Sequence, residues 1–600
     1  MEKERADRPE RVRPRRLEPD TLSYLQEVNS SLLQTVNDGE DAETSRMLVW
    51  NVLEEIAPRA ASAASDRHAC VLIEVLVDHM SAQQLRFFLH KMEGYFSHLW
   101  TNRYSSHVLQ RVLAKVGPIV QREEDGEADD ADDPDRAQDV PAMSTLLVSM
   151  CSEVQNEWIS LINDVSASHV MRAVLCALAG RAPVAEKRGK KGKHKAVNFY
   201  DQNASDVRYS IPSTFEATMG EMLEQILSSP DGKLVELMSD THAGPVLSMA
   251  VRVAPQTMQA EIVYKLLKWT DEERSKKRFY DYAGDAVASH FLEAICDASD
   301  DEMWAAVFER CLQTRLLEFA EHNVANFVVQ RFIQSVPNAE LAEVVLEELQ
   351  GALWSLLSSH RPGVVWRLAE CSERFKLRQK SFFNAVVAAV EKQESKKPEA
   401  ARKSTVPALL GLQLSTTSDK LTLNVASARL VETLLKYPAE ISAPLVQSVV
   451  EMNALQLVAL AKDSTGSRCI VEPIWATDAK DALFAKLKGH FGTLVVDRNG
   501  AFSVLKCFDA MPTSEKIVIA EELAAVDGKL AGSHFASMVL THCNVHEFKS
   551  NREKWLASYE RKRKVQDLFS DLVPSTTTSA EKSSKKKHKK DKKEKKHKSS

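Results

Sequence analysis

The sequence predicts an all-α protein, a curved α-solenoid (superhelix) of about eleven repeats carried between disordered basic tails. Three observations predict it. A short window of residues recurs along the chain at a commonest separation near 36 residues; its apolar positions fall at helical period, with no strand alternation over a comparable length; and only 20 glycines and 21 prolines punctuate 600 residues. Apolar residues make up 44% of the chain and charged residues 27%, enough to give each helix a buried stripe and a solvated face. A repeat stack buries its core between neighbours, so length alone does not force many separate globular domains.

Taken in chain order, residues 1–20 read as a basic tail and residues 21–573 as the solenoid. The window opens on a polar or small residue, continues with His or an aromatic, passes two mostly apolar residues and places a polar residue fifth, before an apolar run. Its clear copies are SSHVLQRVL, SASHVMRAVL, VASHFLEAI and VANFVVQRFI, with Ser106, Ser168, Ser289 and Asn326 as first residues. Weaker copies begin at Cys70, Gly244, Gly363, Ala428, Ser467, Ala501 and Ser537. Long separations mark insertions. One lies near 121–140, with ten acids and two arginines; one near 183–205, with six Lys/Arg and one Glu between 186 and 195; and one near 391–408. Such charge blocks are solvated loops. Residues 574–600 form a Lys-rich tail: 575–600 carry eleven Lys against three acids, so the net charge of -6 divides into +8 there and -14 elsewhere. A segment so poor in apolar residues cannot offset the entropy of ordering, and disorder is expected.

The nine cysteines are scattered, without a C-x-x-C pair or grouped Cys/His ligands, and read as reduced, buried thiols. The charged opening MEKERADRPERVRPRR has no apolar core of the signal-peptide kind, and charges interrupt each long apolar stretch, so no membrane partner is expected. The phosphate loop GxxxxGK[ST], GxGxxG, HExxH and GxSxG are absent. Paired acids such as Glu54/Glu55 and Glu521/Glu522 sit in amphipathic helical settings and read as solvated faces. Trp158, Trp269, Trp304, Trp354, Trp366, Trp475 and Trp555 share no window position and read as packing residues. The expectation is a binding protein, not an enzyme, with no cofactor and no metal.

The first and fifth window residues are four apart and share one helix face, with the second beside them. Unstacked RNA bases are read by hydrogen bonds to their edges and by stacking on aromatic or guanidinium planes, and the window repeats those two chemistries. The candidates are Ser106, His107 and Gln110; Ser168, His169 and Arg172; Ser289, His290 and Glu293; Asn326, Phe327 and Gln330; and Ser467 with Arg468. One histidine by itself would be an ordinary satisfied helix residue, but recurrence at 107, 169 and 290 in register assigns a shared role. Leu109, Val112 and Leu113 continue the window as inter-repeat core, and His322 and Asn323 suit a helix cap.

This arrangement resembles the Pumilio repeat. The segments SSHVLQ, SASHVMR, VASHFLE, VANFVVQ, HRPGVVWRLAEC, DSTGSRCIVE, DRNGAFSVLKCF and the ending HCNVHEFKSNREKWLASYERKRKVQDLF resemble the divergent nucleolar protein 9 family, from about Asp66 to Leu572. The resemblance implies Pumilio-like repeats with a basic concave face holding single-stranded or partly structured precursor rRNA near the 3′ end of the small-subunit rRNA. It also implies control of rRNA processing in the nucleolus or nucleus, pre-ribosomal proteins as partners, and a monomer. By Pumilio pairing rules it further implies adenine for Ser106/Gln110, guanine for Ser289/Glu293 and uracil for Asn326/Gln330. Departures are Gly244/Pro245/Ser248, which offer no stacker, Arg172 in place of Gln or Glu, and Ala501/Phe502/Leu505, which lack edge-reading groups. A protein-interaction scaffold of armadillo or HEAT type, or a cytoplasmic mRNA-binding Pumilio regulator, are the alternatives.

Overall fold

A helix that opens a window needs a start signal, and the chain supplies it four residues ahead in nine of the eleven. Asp66, Asn102, Asp164, Asp240, Asp285, Asn424, Asp463 and Asp497 each accept hydrogen bonds from the backbone N–H groups two and three residues on, with N···O distances of 2.7–3.3 Å. His322 plays the same part through Nδ1, 3.2 and 3.1 Å from the Val324 and Ala325 nitrogens. These side chains satisfy donors that a helix N-terminus leaves orphaned. Replacing Asp285 by alanine is therefore expected to cost about 1 kcal/mol, visible as faster hydrogen exchange of the Val287 and Ala288 amides. Unchanged exchange would mean that packing alone holds that turn.

The computed structural model describes residues 12–37, 42–127, 140–181, 207–394, 405–412, 421–530 and 532–559, and falls into two compact units, 1–389 and 390–600. In the first unit the window helices are α1 (Ala69–His79), α2 (Ser105–Leu113), α3 (Ala167–Leu178), α4 (Ala243–Val253), α5 (Ser289–Ala298), α6 (Ala325–Ser335) and α7 (Pro362–Phe375), each packed on the next. Helices Pro19–Asn37 and Ala42–Ile56 cover the free side of α1. In the second unit they are α8 (Val425–Leu435), α9, α10 (Arg498–Ala510) and α11 (His534–His542), again in sequential contact. Helix α9 runs Ser464–Gly466, Ser467–Val471 and Glu472–Ile474, the middle part being a π-turn. The described residues contain no strand, and each unit is an all-α solenoid; Arg181 and Arg208 form one isolated bridge.

Large apolar side chains fill the space between layers. Behind α5 and α6, Trp304 stacks on Phe308 at 5.1 Å and meets Phe332 at 5.6 Å, Phe332 meets Phe279 at 6.1 Å, and the Trp304 Nε1–H donates to Ser335 Oγ at 2.9 Å. Acidic side chains bind successive repeats: Arg111 of α2 pairs with Glu74 and Asp78 of α1, both at 2.9 Å. Glu153 accepts from the Gly94 and Phe96 amides, Glu348 from those of Thr314 and Leu316, and Glu522 from those of Gly489 and Gly492. Glu522 thus holds a neighbouring helix start rather than a solvated face. A Cβ at Gly244 would lie 2.7 Å from both the Met238 carbonyl oxygen and a Val287 methyl, which is why the fourth window opens on glycine.

All nine cysteines are unpaired and buried, and burial pushes Cys151 up to about 12, so these are inert thiols. Trp158, Trp304, Trp475 and Trp555 are buried as expected, and Trp555 seals the end of the second unit between Phe548 and Tyr559 while donating to the Cys543 carbonyl at 3.0 Å. Trp354 corrects that expectation: it stands 40% exposed, because helix Leu353–Ser358 buries only Leu353 and Leu356. The acidic insertion begins later than its charge suggests, since Gln121–Asp125 complete helix Val116–Asp125, where Glu123 accepts from the Met143 and Ser144 amides. The third insertion ends earlier, because Thr405–Leu409 is helical and packs on Ala439–Val450. The first tail likewise stops at Pro19, where the first helix opens. The Lys-rich tail, residues 1–11 and the centres of the three insertions lie outside the described residues.

Candidate nucleic-acid interface

Each window helix buries one face against its neighbours and turns another outward, and the window residues divide accordingly. The first position is the buried one: Ser106, Ser168, Ser289, Asn326 and Ser467 are between 0% and 9% exposed. The Ser106 and Ser168 hydroxyls donate to the carbonyls of Arg103 and Val165, and the Asn326 amide donates to those of His322 and Asn323. The second position is the outward one. Val71, His107, His169, His290, Phe327, Arg429, Arg468 and Phe502 are all exposed, Phe327 to 58% and Phe502 to 50%. Contact from α1 to α7 and from α8 to α11 sets these side chains on neighbouring layers within each unit, and all but Val71 are flat or cationic.

The fifth position leans back on the first. Gln110 donates to the Ser106 carbonyl at 3.0 Å, Arg172 Nε to the Ser168 carbonyl at 3.1 Å, and Gln330 to Asn326 Oδ1 at 2.9 Å, the i to i+4 geometry of a helix face. Glu293, 8% exposed, takes the His290 Nδ1 at 3.2 Å. The groups predicted to read base edges are therefore held in fixed rotamers before any ligand arrives, which lowers the ordering entropy on binding.

Two windows shift register in the structure. In α7, Val364 and Val365 are both fully buried, so they occupy the third and fourth positions, and the window opens on Pro362 rather than Gly363. Gly363 then stands where α2, α3, α5 and α6 carry a ring, and Trp366 stands fifth. A Cβ at 363 would lie 2.5 Å from the Gln330 Oε1 of α6, so any larger residue here would have to push that flexible side chain aside. In α9 the π-turn adds a residue: Val471 turns into the core, and Glu472 takes the outward place, 2.8 Å from Lys506. In α11, Ser537 is exposed where the first residues of α1 to α6 and α8 to α10 are buried.

The histidines are tuned in opposite directions. Burial of its inner edge, followed by the positive charges of Arg172, His107 and His242, holds His169 down at about 4. His242, the cap residue of α4, belongs to this cluster and escaped the window pattern because it precedes the window. Burial also draws Arg172 down to about 9, leaving it charged at neutral pH. His290 is raised by its hydrogen bond to Glu293. Its pairing therefore favours the folded protein at low pH and is lost as pH rises through its raised value. His169 acts oppositely: its neutral ring is favoured, and stability falls as pH drops from the ordinary 6.5 towards about 4. A proton NMR titration should show His169 neutral down to a pH of about 4 and His290 titrating above 6.5, with E293Q abolishing the upward shift. A His290 midpoint unmoved by E293Q would refute the pairing.

Ser289, His290 and Glu293 of α5, Phe327 and Gln330 of α6 and Arg367 of α7 line one cleft of about 490 Å³. Two of the predicted triplets thus meet in one place, together with a residue from a third repeat.

A family model described as the NOP9-like PUF repeat domain matches residues 43–535. The chain is similar to Pumilio homolog 23 of Arabidopsis thaliana, at 24% identity across 94% of this chain and 76% of that protein. It is similar also to Nucleolar protein 9 of Schizosaccharomyces japonicus, at 24% identity across 90% and 84% of the two. Among solved structures, APUM23–GGAAUUGACGG superposes with a TM-score of 0.72 at 23% identity, over 91% of this chain and 100% of that one. At that identity the likeness is one of fold.

Proposed function

We propose, because this chain belongs to the NOP9-like PUF repeat family, that it is a nucleolar RNA-binding protein holding precursor rRNA near the 3′ end of the small-subunit rRNA and controlling its processing. The observation that carries the reading is the second-position ladder: the same outward place bears His107, His169, His290 and Phe327 in the first unit, interrupted by Pro245 of α4 and Gly363 of α7, and Arg429, Arg468 and Phe502 in the second. Bases stack on such side chains, and recurrence at one repeat spacing suits a single strand laid along each unit. A relative named Nucleolar protein 9 supports the location, and a fold neighbour named with the ribonucleotide sequence GGAAUUGACGG supports RNA as the ligand class. Control is by occupancy: RNA lying on the ladder is withheld from a nuclease until release. Family membership points to binding rather than catalysis, and the protein acts as a monomer among pre-ribosomal proteins.

A protein scaffold would require the ladder side chains to turn into packing, and their exposure favours RNA. Crosslinking of the tagged full chain to RNA in cells, followed by sequencing of bound fragments, tests the reading. Enrichment at precursor rRNA supports it; enrichment at messenger 3′ regions would favour a cytoplasmic regulator, and none above background a scaffold.

A further inference from the structure

We propose that Arg367, reaching in from the seventh repeat, makes the cleft between α5 and α6 select guanine. The inference rests on the RNA-binding reading and adds to it a specificity-determining residue that lies outside the window's first, second and fifth places.

The exposed rings of His290 and Phe327, at the same place on adjacent helices, form walls between which a base can stack. Glu293 lines the same cleft, largely buried, with the His290 Nδ1 3.2 Å from its Oε1. An ionised carboxylate accepts hydrogen bonds and donates none. A base that meets it well must therefore present adjacent donors, as guanine does with N1–H and the N2 amine. The far edge of guanine carries O6 and N7, two acceptors that match the arginine fork.

Arg367 has the donors for that edge. Its guanidinium lies 3.9 Å over the Trp366 ring, one terminal nitrogen is 2.6 Å from Glu370, and its buried Nε–H has no acceptor. Gly363 lies one turn back on the same helix face and bears no side chain, and the Gln330 carboxamide, which lines the cleft together with Arg367, packs against it. The glycine that interrupts the ladder thus lets Gln330 and Arg367 line one cleft. Adenine would fail on both edges, presenting an amine to Arg367 and an acceptor nitrogen to Glu293.

The test uses the full chain and fluorescein-labelled GGAAUUGACGG, with each guanine replaced singly by 7-deazaguanine, which lacks N7, or by inosine, which lacks the N2 amine. At one guanine the wild-type protein should lose about tenfold in affinity with either analogue. R367Q should remove the 7-deazaguanine penalty there and keep the inosine penalty, which also shows that the cleft is intact. R367K should behave likewise, since lysine keeps the charge and loses the fork. A 7-deazaguanine penalty that persists in R367Q, or one found at no position, overturns the proposal while leaving RNA binding untouched. Loss of both penalties in R367Q overturns it too, because Arg367 would then act by supporting the cleft. A chain that binds neither this RNA nor a random-sequence pool fails at the RNA-binding reading itself and takes this inference with it.

Discussion

Replacing His107, His290 and Phe327 together by alanine is expected to weaken RNA binding by about two orders of magnitude or more, since each base stacked on a flat side chain contributes about 1–3 kcal/mol and about 1.4 kcal/mol is tenfold. Thermal unfolding should barely move, because all three side chains are exposed and surface substitutions usually fall within about 0.5 kcal/mol. The salt dependence should also change little, since stacking does not release phosphate counterions. Fluorescence anisotropy of a labelled RNA across a salt series reads all three quantities. Full affinity in the triple variant would mean that the ladder is not where RNA lies. A collapse of stability with affinity would mean that these side chains pack rather than bind.

The largest expected effect on stability comes from the other side of the same helix. Phe332, five residues after Phe327, is 1% exposed and lies between Phe279 and Trp304. Truncation to alanine removes buried apolar surface and leaves a cavity among rigid rings, a change that costs about 3–5 kcal/mol. Neighbouring repeats depend on one another for their cores, so the loss should spread along the first unit. Denaturant unfolding followed by tryptophan fluorescence, with Trp304 as the local reporter, should show the shift. F327A should leave that transition in place. A small effect of F332A would show that the layer behind α6 collapses to fill the space.

Much of this was legible in the sequence because a repeat writes its physics many times. The helical period of the window, its spacing and the in-register histidines at 107, 169 and 290 sufficed for the all-α solenoid and for the ladder of outward side chains. The caps were half legible: His322 was recognisable, while the aspartates at the same offset were passed over. Trp354 was misjudged because short helices bury few positions, and composition cannot say which.

What the sequence by itself determined was therefore whatever depends on local spacing: helices, repeat units, and the three positions of each window that share a face. What only the tertiary structure decided was which of those positions reach solvent and what meets across repeats. Ser106 and Asn326 are buried although polar, because their side chains donate to backbone carbonyls at the start of their own helices. Gly363 and Glu472 hold places that counting misassigns: burial of both Val364 and Val365 sets the window of α7 one residue earlier, and a π-turn adds a residue in α9. Arg367 joins a cleft whose other walls lie about one repeat or more away in sequence. Such meetings arise from the packing of one helix on the next, and a one-dimensional pattern carries no record of that distance.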